Sequence, residues 1–172
     1  LKMLEFFKGK KVYTFGIKNK SDIMAFDIRM LSDKGMRFTL KVQNCRSREI
    51  CFPLLGRQNV YNALAASAAA YALGTKLDLI ERGLFSFKPL DQHMQLSNFN
   101  KGIKIINDSY NASPLSVKSA LETLSEVAQN NRKIAILGDM LELGEKTDFY
   151  HRKIGKEVVK LSIDILITIG ER

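Results

Sequence analysis

Apolar and polar residues alternate with two different periods along this chain, and the change of period divides it. Ile23–Met30 reads as a strand, with Phe26, Ile28 and Met30 alternating with Asp27 and Arg29. "SDKG" at 32–35 is turn chemistry. Met36, Phe38, Leu40 and Val42 then alternate with Arg37, Thr39 and Lys41, which predicts a second half-buried strand and an antiparallel hairpin with one wet face. A further strand is expected over residues 49–54. "GRQNVYNALAASAAAYALG" follows, an alanine-rich helix over about 59–73 with Gly74 as its stop. A short helix over 77–85 leads to "SFKPLDQ", the best linker candidate in the chain. Beyond it the pattern becomes βαβαβ: strand 103–107, a helix from Pro114 with Val117, Ala120, Leu121, Leu124 and Val127 on one face, strand 133–137, helix 148–161 and strand 164–169. Strands alternating with helices imply a parallel sheet. The expected class is therefore α/β, with two domains at 1–88 and 89–172.

Charge follows the same division. Residues 1–90 carry 16 Lys+Arg against 7 Asp+Glu, whereas residues 91–172 carry 11 of each. A basic half suits an anionic partner such as a nucleotide, but the lysines are scattered and no nucleic-acid motif accompanies them, so no nucleic-acid partner is expected. With 45% hydrophobic and 26% charged residues the chain has ordinary globular composition. No apolar run approaches the roughly 20 residues of a membrane span. Cys45 and Cys51 are the only cysteines and have no metal-ligand spacing with His93 or His151. These features predict a cytoplasmic protein with reduced thiols and no metal site. The chain lacks an initial Met and ends just after a strand, so both ends look cut from something longer.

Three places collect chemistry. The run "INDSYNASP" places Asp108, Tyr110, Asn111 and Ser113 where a buried strand gives way to a helix, and Pro114 suits the first helical turn. Asp139 follows Gly138 at the end of the next strand. Strand-end carboxylates can bind ribose hydroxyls, hold a metal or cap a turn. Two on one sheet edge point to a shared ligand cleft. In "RQNVYN", Asn59 and Asn62 stand three apart at a helix start, and paired amides suit a nucleobase edge. No Gly-x-x-Gly-Lys-Thr phosphate loop and no G-x-G-x-x-G is present.

"GRQNVYNALAA", "INDSYNASP" and "LGDMLELG", in this order, resemble the Mur ligases of bacterial cell-wall synthesis. The last motif resembles the member that adds D-alanyl-D-alanine to a UDP-linked muramoyl tripeptide. The resemblance implies the end of a central ATPase domain followed by the start of a Rossmann-like C-terminal domain. It also implies ATP with Mg²⁺ as cofactors, and activation of a carboxylate as an acyl phosphate that the dipeptide's amine attacks. By the same resemblance Asn59 and Asn62 lie at the adenine, Asp108 holds the ribose, and Tyr110, Asn111 and Ser113 face substrate, with Asp139 and Glu142 on the same cleft. His93 stands, after Gln92, where relatives carry Gly-Arg at the nucleotide, and Gln58 where they carry His. Neither a catalytic residue nor a metal ligand is expected within these residues, and the chain alone is expected to be inactive. Another Mur-like ligase, or a stand-alone nucleotide- or protein-binding module, are the alternative readings.

Overall fold

The structure is a computed structural model and describes residues 7–171; the outermost positions of the two expected domains, 1–6 and 172, lie outside it. The chain forms two compact units, one of residues up to 29, 36–53 and 58–87, the other of 30–35, 54–57 and 88 onward.

The first unit carries a four-stranded sheet in the order β1-β2-β3-β4, with β1 at Phe15–Gly16, β2 at Ile23–Met30, β3 at Met36–Val42 and β4 at Arg48–Phe52. β1 runs parallel to β2, and β3 antiparallel to β4. The connection between β2 and β3, residues 31–35, is too short for anything but antiparallel pairing. In β3 every second residue, from Met36 to Val42, is buried as the alternation requires. β2 departs from its expected phase. Ile23 and Ala25 are buried, Phe26 is 40% exposed, and Ile28 and Met30 turn partly inward again. Asp27 takes a positive φ of 52° between the two halves. The inward parity changes across Asp27, and Phe26, next to buried Ala25, lies on the wet side.

Helix α1 spans Arg57–Ala72, two residues earlier than its pattern suggests, because Gly56 at φ 87° makes the break. It buries Val60, Ala63, Leu64, Ser67 and Ala68, a stripe at helical spacing. Its end is a Schellman turn: the Thr75 N–H bonds to the Ala70 carbonyl at 3.0 Å and the Gly74 N–H to the Tyr71 carbonyl at 2.9 Å, with Gly74 at φ 83°. Helix α2, Leu77–Phe85, is held to β4 by Arg48, whose guanidinium lies 2.9 Å from Asp78 and 3.4 Å from Glu81.

In the second unit strands and helices follow one another as expected, from β6 (Lys104–Asn107) through α3 (Pro114–Ala128), β7 (Ile134–Gly138) and α4 (Thr147–Lys160) to β8 (Ile165–Ile169), but β6 lies in a sheet separate from β7 and β8 rather than in one parallel sheet with them. β7 and β8 are paired in parallel. β6 pairs antiparallel with β5, Gln95–Asn98, a strand that its sequence "QLSN" does not announce. The core consists of Leu121, Ala135, Met140, Ile154 and Val158, with Val117, Leu124 and Leu137 packed against it.

Candidate functional site

The amide pair comes first along the chain. Asn59 is the third residue of α1 rather than its cap, and only 7% of it is exposed. The Asn62 Nδ2 donates to the Asn59 Oδ1 at 3.0 Å. Residues three apart on a helix are neighbours, so this bond joins the two amides into one polar surface at the first turns of α1. Asn62 itself is exposed.

Asp108 follows β6 directly and is a fastening point. Its Oδ1 accepts the Met94 N–H at 3.0 Å, while the Tyr110 N–H donates to the Gln92 carbonyl at 3.3 Å. Between these two bonds His93 lays its ring against that of Tyr110, with centroids 4.6 Å apart and planes at 31°. The His93 Nδ1–H donates to the Asp91 carbonyl at 2.8 Å. Gln92 and Met94 both take positive φ, 62° and 49°, a conformation that costs free energy for side chains of this kind. The segment holding His93 is thus bent to fit the strand end. Tyr110 remains 70% exposed. Asn111 is exposed too, and its Oδ1 accepts the Ala112 N–H at 2.8 Å. Ser113 is the N-cap of α3, bonding reciprocally with Ser116 in a capping box.

Asp139, just past β7, turns Oδ2 to the Glu171 N–H at 3.0 Å. It lines a cavity of about 270 Å³ with His151, Arg152 and Thr168 among apolar residues such as Leu137, Ile154 and Val158. Glu142 is exposed at φ 61° and lines a separate recess of about 460 Å³ with Leu143, Gly144 and Asp148. The structure therefore brings Asp108, His93 and Tyr110 together and adjoins Asn111 and Ser113 to them. It places Asp139 and Glu142 on different recesses, and Asp108 and Asp139 follow strands of different sheets rather than sharing one sheet edge, because β6 takes β5 as its partner. Among the described residues no group of three or more His, Cys, Asp or Glu could hold a metal ion, and no helix is long and apolar enough to cross a membrane.

Residues 2–70 match the family model of the Mur ligase middle domain, and residues 94–172 match that of the Mur ligase, glutamate ligase domain. The chain belongs to the Mur ligase family. It is 34% identical over 159 residues to the UDP-N-acetylmuramoyl-tripeptide–D-alanyl-D-alanine ligase of Bacillus subtilis, an alignment covering 92% of this chain and 34% of that one. The enzyme of the same name from Escherichia coli K12 is 31% identical, with 95% and 36% covered. A crystal structure of MurF from Acinetobacter baumannii superposes with a TM-score of 0.89 at 29% identity, over 99% of this chain and 36% of that one. This Mur ligase chain spans about a third of the length of the curated relatives that it matches.

Two backbone contributors at these sites escaped sequence reasoning, the amide of Met94 and the carbonyl of Gln92, because no residue type signals them. His151, the histidine that follows the "LGDMLELG" motif, donates from Nδ1 to the Thr147 carbonyl, four residues earlier on α4.

Proposed function

We propose that this chain supplies nucleotide-side and substrate-side residues of an ATP-dependent ligase that joins D-alanyl-D-alanine to a UDP-N-acetylmuramoyl tripeptide. The observation that carries this reading is the match to ligases of that name over more than nine-tenths of the chain. In this reading residues 1–88 belong to the central domain and 89–172 to the C-terminal domain, and the protein works in the bacterial cytoplasm on peptidoglycan precursors.

The residues fit a nucleotide in kind. Asn62, fastened to Asn59, offers an exposed amide that can both donate to and accept from an adenine edge. Asp108 has one oxygen bonded to Met94, and a carboxylate has acceptor capacity on both oxygens, enough for a ribose hydroxyl as well. His93 and Tyr110 form a tilted aromatic pair next to Met94, whose N–H that carboxylate accepts. Tyr110, Asn111, Ser113, Asp139 and Glu142 are assigned to substrate. ATP supplies a γ-phosphoryl group to the tripeptide's terminal carboxylate, and the dipeptide amine displaces it as inorganic phosphate. Mg²⁺ travels with the nucleotide's phosphates, and these residues are assigned no part in holding it. Their contribution is orientation, which raises the effective concentration of reacting groups.

The test is product identity. Native protein carrying this chain, given ATP, the UDP-linked tripeptide and equal amounts of D-alanyl-D-alanine, D-glutamate and L-alanine, is expected to yield the pentapeptide product by mass spectrometry. A product containing a single added amino acid would assign the chain to a different Mur-like ligase.

A further inference from the structure

His151, on α4, has both ring nitrogens engaged. The Met140 N–H reaches Nε2 at 3.0 Å, and Nδ1 stands 2.9 Å from the Thr147 carbonyl. An amide N–H can only donate and a carbonyl can only accept. These two bonds therefore leave one tautomer, with the proton on Nδ1 and the lone pair on Nε2. With Nε2 occupied by Met140, the Asp139 Oδ1 at 3.9 Å is a neighbour of the ring, not its ion-pair partner. Asp139 instead accepts the Glu171 N–H. A Cβ built on Gly170 would overlap the Asp139 carboxylate, so Asp139 is seated against a residue that has no side chain. The ring fixes the amide that immediately follows Asp139, and the carboxylate then bridges the ends of two neighbouring parallel strands.

We propose that His151 is a positioning residue for Asp139: as the neutral Nδ1–H tautomer it holds the Met140 amide, and thereby the carboxylate against Gly170 and Glu171. Carboxyl ends of parallel strands are where open α/β sheets take ligands. What Asp139 would touch there rests on the ligase reading; the coupling itself does not. A protonated ring cannot keep this arrangement. Its Nε2 becomes a donor, releases the Met140 amide and draws Asp139 away from the Glu171 N–H. Asp139 at the end of β7 is the carboxylate within 4 Å of it among the described residues. Arg152 of α4 and Thr168 of β8 share the cavity wall, α3 contributes Val117 there, and Glu171 contributes its backbone. Asp148 lies one turn back on α4 and faces the other recess.

Nitrogen-15 NMR of the labelled protein and its variants tests this. The imidazole spectrum is expected to report the Nδ1–H tautomer. His151→Gln, whose amide can both donate to Thr147 and accept from Met140, is expected to leave the Met140 and Glu171 amide signals near their wild-type positions. His151→Ala, which can do neither, is expected to shift both, although the bond at Glu171 is made by Asp139. Asp139→Asn is expected to shift the Glu171 amide while the tautomer stays. A Glu171 amide that ignores His151→Ala, or a ring in the other tautomer, would each overturn the proposal. No substrate enters the experiment, so its failure and the failure of the ligase reading are separate results.

Discussion

The Asn62–Asn59 bond makes two side chains act as one. Asn62 is exposed, but its amide bonds the buried Asn59, and a lost neutral hydrogen bond is worth about 1 kcal/mol. Asn62→Ala is therefore expected to cost about 1 kcal/mol of stability and to weaken ATP binding about 5-fold to 10-fold; paired titration calorimetry and thermal melting check both halves. A second residue-scale case lies far from the motifs. The Thr14 hydroxyl and N–H both donate to the Asp22 Oδ2, at 2.7 and 2.8 Å, and these bonds hold the Asp22 carboxyl below the usual aspartate range. An acid held lower in the folded state stabilises it above the ordinary aspartate value. That contribution disappears as pH falls through the lowered one. Asp22→Ala is expected to cost about 1 kcal/mol at pH 7, with the wild-type advantage shrinking in acid well below pH 4. Urea titrations at the two pH values measure it.

Elements were legible where one face is buried and obscure where a partner decides. β3 alternates without a break, and the boundaries of α2 coincide with its apolar pattern. The change of parity at Asp27 left no trace in the pattern, since Phe26 is as apolar as Ile28. β5 was silent because "QLSN" becomes a strand through its ladder with β6 rather than through burial. The candidate residues were legible by type and motif, yet the bonds that seat Asp108 run through the backbone of Gln92 and Met94. Gly74 is a case where the sequence signal and the geometry agree: its positive φ closes the Schellman turn of α1. Gly74→Ala is expected to destabilise the protein by about 1 kcal/mol, seen as a lower denaturant midpoint with an unchanged slope, because Cβ disfavours that conformation. A substitution without effect would mean that the helix end is set elsewhere.

At the scale of the molecule, β7 and β8 have a two-faced sheet. Their register puts Ile134, Ile136, Ile165, Ile167 and Ile169 on one side, and Ala135, Leu137, Leu166 and Thr168 on the other. The second side supplies Ala135 and Leu137 to the core and Leu166 and Thr168 to the cavity beside α4. The isoleucine side is open, with Ile136 64% and Ile169 65% exposed, although parallel sheets are ordinarily covered on both faces. The central claim, that these residues serve a D-alanyl-D-alanine-adding ligase, is tested most directly by phosphate release. In native protein carrying this chain, release from ATP is expected to require both the UDP-linked tripeptide and D-alanyl-D-alanine. Asp108→Asn is expected to raise the ATP requirement about 10-fold to 100-fold, as for a lost charge-assisted hydrogen bond. Release that is indifferent to the dipeptide, or unchanged in Asp108→Asn, would contradict the account.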